Sequence, residues 1–377
     1  MTTPDYFPSS EPFLKERLDL FLGQLAEDLA RQPFNPAVRA LLLAGGYGRG
    51  EGGIFRTARK ASPQLYNDLE FYLILRNGTS LRAPTAWIQH QSHSGDEQLG
   101  IEVEFKILHE NALRNAHPSM FFYDLVAAHR FVAGSPDFIA TLPARLQDPT
   151  LIPPEEATRL LFNRGAGLFF SKVALQRSDE RLTNGFIERN HAKVRLALAD
   201  AVLALNGQYH YSCRERHLRL SSRLDQIPPD WDTLCEWHRE GVEFKLTPRH
   251  THPSRTELEQ QQAEIVRLWL QTFLWLESIR LKTVFTSPEQ YARTPALLFP
   301  KTNRFRNMAL ALRDQIRRGG ALSGWTDYPR ATLQRALVLF LSPSPQIAPA
   351  RLLLQISQEA SWAETETAFT RWWRFYN

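Results

Sequence analysis

Residues 38–53 read VRALLLAGGYGRGEGG, an apolar run that stops at a cluster of glycines. The run Val38–Ala44 is short, uninterrupted and bounded by turn residues, which predicts a buried strand. The glycines predict a tight turn where the backbone can approach a ligand closely and direct N–H groups at phosphate oxygens. Arg49, inside this turn, is suited to a charge-assisted contact with a phosphate.

Two later stretches alternate apolar and polar residues: NDLEFYLIL at residues 67–75 and IEVEFKIL at residues 101–108. A strand places alternate residues on opposite faces, so Asp68 and Glu70 share one face, as do Glu102 and Glu104. Unpaired carboxylates on adjoining strands repel one another unless cations relieve them, and their hard oxygens suit Mg²⁺. Alone, the turn is explained as an ordinary turn and each acid pair as a solvated strand face. Their order along the chain indicates a site.

The order strand, Gly-Gly turn, Asp-x-Glu and a further strand acid resembles the nucleotidyltransferase superfamily, which includes DNA polymerase β and the aminoglycoside nucleotidyltransferases. The resemblance covers roughly residues 35–110. It implies an α+β catalytic domain of the polymerase β type, with a mixed sheet and flanking helices. It also implies two Mg²⁺ ions, an NTP donor, and transfer of NMP to a hydroxyl with release of pyrophosphate. We expect the donor to be ATP.

By this resemblance, Gly45 and Gly46 match the turn that binds the triphosphate, and Asp68 and Glu70 match the paired catalytic metal ligands. Glu102 and Glu104 both fit the third acid, and we favour Glu104 because it lies deeper in its strand. Two departures from the family pattern stand out. Gly46 replaces the usual serine of the turn, and Glu70 replaces the commoner aspartate. They leave a second hypothesis open, in which the chain is a nucleotide-binding regulatory or interaction protein without catalytic turnover, similar to an antitoxin.

Beyond residue 148 almost every segment has helical spacing of apolar residues, which predicts a catalytic domain at 1–148 and a helical domain at 149–377. Lys193 lies on one of these helices and is a candidate contact for the triphosphate. The alternative is a surface salt bridge between Lys193 and Asp200. The basic run Arg214–Arg223 is interpreted as a solvated helix or loop.

The chain of 377 residues carries a net charge of +5 and only two cysteines, which indicates neither a disulfide framework nor a zinc site. It has no signal-peptide pattern and no apolar run long enough to span a bilayer, so we expect a cytoplasmic protein with no membrane partner. The expected partners are a nucleoside triphosphate and a hydroxyl acceptor on a small molecule or a protein. Nucleic acid ranks last, because neither an RNA-binding module nor a strong basic stripe is present.

Overall fold

The structure, a computed structural model, describes residues 5–56, 62–176, 180–251, 253–294, 304–318 and 329–376. The protein is α+β and divides into two compact units. The first unit comprises Met1–Pro153, Asn206–Asp225 and His238–Thr251, and the second comprises Pro154–Leu205, Gln226–Trp237 and His252–Asn377. The first unit thus runs past the predicted boundary at residue 148 and also includes two later segments.

The strands, all in the first unit, are β1 (Val38–Leu43), β2 (Ile54–Phe55), β3 (Gln64–Leu65), β4 (Leu69–Leu75), β5 (Val103–His109) and β6 (Arg130–Gly134). The α-helices are α1 (Pro12–Ala30), α2 (Gly45–Gly48), α3 (Arg82–Leu99), α4 (Glu110–Arg114), α5 (Met120–Ala127), α6 (Pro154–Leu175), α7 (Glu180–Leu205), α8 (Cys213–Arg219), α9 (Trp231–Leu246), α10 (Arg255–Leu281), α11 (Pro288–Arg293), α12 (Arg304–Arg318), α13 (Pro329–Phe340), α14 (Ile347–Leu354) and α15 (Trp362–Tyr376). The predicted strands therefore exist as β1, β4 and β5.

A mixed, four-stranded sheet in the order β5-β4-β1-β6 organises the first unit. Strand β1 pairs antiparallel with both β4 and β6, whereas β4 and β5 run parallel. The helix α3 provides the crossover that a parallel pair requires. Because β4 and β5 are parallel, their first residues meet at the same end of the sheet.

Alternate residues of the central strands enter two cores, one on each face of the sheet. Leu41, Leu43 and Phe71 pack with the buried side of α1, and Leu42 and Ile74 pack with residues of α4 and α5. Burial on both sides explains why β1 is an uninterrupted apolar run. The resulting sheet positions the acidic residues.

The helix α3 occupies a stretch whose polar composition carries little helical signal. Its histidines are exposed, as are Gln89 and Gln98, while Trp87 and Leu99 are buried among the core side chains. Gly100, with a φ of 69°, ends the helix in the left-handed conformation that favours glycine. The helix therefore depends on tertiary packing, which periodicity alone did not indicate.

The segment His238–Thr251 packs on the small β2–β3 sheet of the same unit. The ring of His250 lies 5.4 Å from that of Phe55, and the ring of Phe244 lies 6.3 Å from that of Tyr66. A Cβ on Gly53 would come within 2.9 Å of the Lys245 carbonyl oxygen, so this close approach requires glycine. The first unit is thus completed by residues far along the chain.

The second unit is helical in its described part, as the sequence predicts. A Cβ on Gly165 of α6 would lie 2.4 Å from the Trp269 ring of α10, so glycine allows the close packing of these helices. The fully buried Glu277 pairs with Arg280 at 2.7 Å and accepts a hydrogen bond from Tyr291. Among the described residues, we find no helix with the length and apolarity needed to cross a membrane.

Candidate functional site

The glycine turn lies directly against Glu70. The N–H of Ala44 donates to the carbonyl oxygen of Glu70 at 2.8 Å. Gly45 has a φ of 62°, and a Cβ there would lie 2.9 Å from Oε1 of Glu70. A side chain at position 45 would therefore strain the backbone and also displace the carboxylate. The first piece of the predicted site thus contacts the second.

The turn itself forms the short helix α2, which begins at Gly45. The first N–H groups of a helix have no acceptor within that helix. The N–H of Glu51 donates to the Gly46 carbonyl oxygen at 2.8 Å and closes the turn. Gly45 and Gly46 are therefore the residues at the helix start, where amide groups are suited to an anion.

The parallel pairing of β4 and β5 aligns the acidic residues. Glu70 is in register with Glu104, and the N–H of Leu69 donates to the Glu102 carbonyl oxygen at 2.9 Å. Asp68 and Glu102 are exposed, whereas Glu70 and Glu104 are partly buried. We call these four residues the acidic face. The register supports Glu104 as the neighbour of Glu70 and places Glu102 further toward the start of the strands.

Burial and neighbouring negative charge raise two pKa values at the acidic face. Burial raises the pKa of Glu70, and the nearby carboxylate of Asp68 raises it further. Lys106 and Arg49 oppose this rise without cancelling it. Burial, followed by the charge of Glu70, likewise raises the pKa of Tyr72 to about 12. A bound cation would relieve this repulsion.

Lys106 is a cation beside this face that sequence reasoning missed. Its Nζ lies 3.0 Å from Oε2 of Glu104 and 5.9 Å from the centre of the Tyr72 ring. Burial lowers the pKa of Lys106, but the hydrogen bond to Glu104 and the charges of Tyr72, Glu104 and Glu70 together outweigh burial and leave the pKa raised. The alternation of β5 already placed Lys106 on the side of Glu104, and that was the available signal.

The donor set of the acidic face fits Mg²⁺ in its chemistry, because carboxylate oxygens are the ligands this ion prefers. Asp68 and Glu70 would hold such an ion, with Glu104 as the third donor. Across the described ranges, no three His, Cys, Asp or Glu side chains converge into a ready metal cluster. Glu104 is in contact with Lys106 instead.

Arg49 forms an ion pair instead of pointing into solvent. Its Nη1 lies 2.7 Å from Oδ2 of Asp124, which also accepts a hydrogen bond from the hydroxyl of Tyr209 at 3.3 Å. In the part of the chain that the structure describes, Nε of Arg49 and Oδ1 of Asp124 are buried without a hydrogen-bond partner. Burial lowers the pKa of Arg49, but Asp124, Tyr209 and Glu51 together outweigh burial and leave the pKa raised. Its contact with a phosphate stays a prediction.

Glu51 anchors the end of the glycine turn, and sequence reasoning missed it. Its Oε1 accepts hydrogen bonds from the Ser212 hydroxyl at 2.7 Å and from the Cys213 N–H at 2.8 Å. Its Oε2 lies 2.9 Å from Nζ of Lys245. Burial alone would raise the pKa of Glu51, but Lys245 and Ser212 outweigh it and hold the pKa at about 2. No local pattern signals these partners.

The two basic candidates that the sequence assigned to the helical domain belong to different units. Lys193 is an exposed residue of α7 in the second unit, and Asp200 is buried. The role of Lys193 stays a prediction. The interpretation of Arg214–Arg223 as solvated is wrong for Arg216, which is only 4% exposed and donates from Nη1 to the His210 carbonyl oxygen at 2.6 Å. Hydrogen bonds to backbone carbonyl oxygens and a cation–π contact with the Tyr209 ring stabilise this buried guanidinium.

No protein-family model matches the chain, and no curated protein matches it. The geometry brings together the glycine turn, Glu70 and Glu104, with Asp68 and Glu102 at the adjoining strand starts.

Proposed function

We propose that this chain is a Mg²⁺-dependent nucleotidyltransferase that transfers NMP from a nucleoside triphosphate to a hydroxyl. ATP is the expected donor. One observation carries the proposal. Gly45 lies against the carboxylate of Glu70, which is itself in register with Glu104. A phosphate-binding turn and a divalent-cation site must adjoin for this chemistry, since the cation bridges the protein and the triphosphate.

Each group then has a defined task. The amide groups at Gly45 and Gly46 bind phosphate oxygens, and Asp68 and Glu70 hold the Mg²⁺ site. When bound, Mg²⁺ neutralises charge on the triphosphate and on the leaving pyrophosphate. Glu104, the third carboxylate, orients the acceptor hydroxyl and receives its proton. Such catalysis depends mainly on positioning and electrostatics.

The acceptor is proposed as a hydroxyl on a small molecule or on a protein side chain. Both fit the same chemistry at the phosphate, and fold alone does not choose between them. The experiment that tests the proposal can search both classes at once. Small-molecule and protein fractions of a cell lysate are offered separately as acceptors.

The test uses α-labelled and γ-labelled NTPs with Mg²⁺. We expect the α label alone to appear in an acceptor, with label from γ released as pyrophosphate. Glu104→Gln is expected to lower the rate by at least about 10²-fold, the lower range for general-base removal, and Glu102→Gln to have a small effect. Transfer of the γ label would replace NMP transfer with phosphoryl transfer. If neither Glu variant lowers the rate, the third-carboxylate role is wrong.

A second candidate is a nucleotide-binding regulatory protein without turnover. The contact between Lys106 and Glu104 favours it, because the third carboxylate is already paired with a cation. Gly46 also offers no hydroxyl to a phosphate. This candidate predicts Mg²⁺-dependent nucleotide binding with no labelled product in any fraction. Equilibrium dialysis against each labelled NTP, run beside the transfer assay, separates the two.

A further inference from the structure

Lys106 lies beside the acidic face, in contact with the carboxylate of Glu104. Strand alternation places Lys106 on the side of Glu104, and Nζ lies 3.0 Å from Oε2 of that residue. Glu104 is in register with Glu70. The ammonium is therefore paired with the carboxylate that lies next to Glu70 across the two strands.

An ammonium in this position opposes a metal ion on the same carboxylate. A Mg²⁺ bound to Glu104 at about 2.1 Å would lie within roughly 5 Å of the Lys106 Nζ, given the present ion pair. Like charges at that separation repel strongly in a partly buried site. Asp68 and Glu70 lie beside β5 on the neighbouring stretch of chain, and among the described residues neither carboxylate forms an ion pair with a lysine.

We propose that Lys106 replaces the second metal ion, so that this site binds one divalent cation together with the nucleotide. The inference rests on the proposed function. Asp68 and Glu70 hold the single cation, and Lys106 supplies fixed positive charge at Glu104. The lysine thereby sets the metal stoichiometry of the site.

The test counts Mn²⁺ bound per chain, by the electron paramagnetic resonance signal of free Mn²⁺, at saturating α,β-methylene ATP. We expect one Mn²⁺ for the wild type, two for Lys106→Gln and one for Lys106→Arg. Lys15→Gln is the matched control, because Lys15 forms a similar half-exposed ion pair with Asp19 on α1. The control is expected to stay at one.

If the wild type binds two Mn²⁺, or Lys106→Gln binds one, the proposal that Lys106 replaces the second metal ion is wrong. The proposed nucleotide site is not affected by that result. In that case the contact with Glu104 is an ordinary salt bridge on a strand. No bound Mn²⁺ in the wild type and in Lys106→Gln would overturn the proposed function, and this inference with it. A circular-dichroism spectrum of each variant verifies that it is folded.

Discussion

The carboxyl group of Glu51 is buried in the first unit and stabilised in its ionised form. Its side chain is 5% exposed, and Lys245, Ser212 and Cys213 all contact it. Taking a carboxylate out of water is costly unless it is paired and hydrogen-bonded, as it is here. The residue lies at the end of the glycine turn, so its partners help to hold the turn.

Glu51→Gln tests this role through pH. The folded-state pKa of about 2 lies below the ordinary 4.5, so ionised Glu51 stabilises the fold above about pH 4.5 and loses that effect as pH falls toward 2. The lowering corresponds to roughly 3 kcal/mol at neutral pH. We expect the variant to be less stable in urea at pH 7 and the difference to shrink between pH 4.5 and 2. A difference that does not depend on pH would contradict the role.

At the scale of elements, the glycine turn and β4 are in direct contact. Gly45 needs glycine for its backbone angle and also for the space occupied by Glu70. These two requirements can be separated by comparison with Gly78. That residue has a similar φ of 75° but no atom within 4 Å of an added Cβ.

Gly45→Ala and Gly78→Ala should each lose about 1–2 kcal/mol of stability, because both force alanine into the left-handed region. Only Gly45→Ala should also weaken Mg²⁺-dependent nucleotide binding, since its Cβ displaces the Glu70 carboxylate. Isothermal titration with ATP, with and without Mg²⁺, measures the difference. Equal binding by both variants would separate the turn from the nucleotide site.

Local sequence patterns predicted the strands but did not predict how the strands and distant side chains pair. The uninterrupted apolar run located β1, which is buried on both sides, and the alternation of apolar and polar residues located β4 and β5. The sequence did not indicate that β4 and β5 are parallel, and this pairing is what puts Glu104 beside Glu70. The partners of Glu51 lie more than 160 residues away, so no local spacing indicates them.

At the scale of the whole molecule, the first unit is discontinuous in sequence. Asn206–Asp225 and His238–Thr251 belong to it, and they supply every side-chain partner described for Glu51. A fragment ending at Pro153 would leave this carboxylate buried without its lysine. Removing one partner of a buried pair costs about 3–5 kcal/mol, a large share of a domain's stability.

We therefore expect the fragment 1–153 to lack a cooperative urea transition, whereas the full chain shows one. Intrinsic fluorescence and far-ultraviolet circular dichroism, recorded together, follow both. The fragment 1–251 is the control, because it retains Ser212, Cys213 and Lys245. A fragment 1–153 that unfolds as cooperatively as the full chain, and at the same urea concentration, would show that the later segments are dispensable.

The most direct test of the central claim is the melting temperature of the full chain with ATP, with and without Mg²⁺. A ligand that binds only the folded state stabilises it by about 1.4 kcal/mol at ten times its Kd, which raises the melting temperature by a few degrees. We expect a Mg²⁺-dependent rise in the wild type and in Asp137→Ala, an exposed acid outside the acidic face. Asp68→Ala should lose it. No metal-dependent shift of the wild type with any NTP at millimolar concentration would contradict the account.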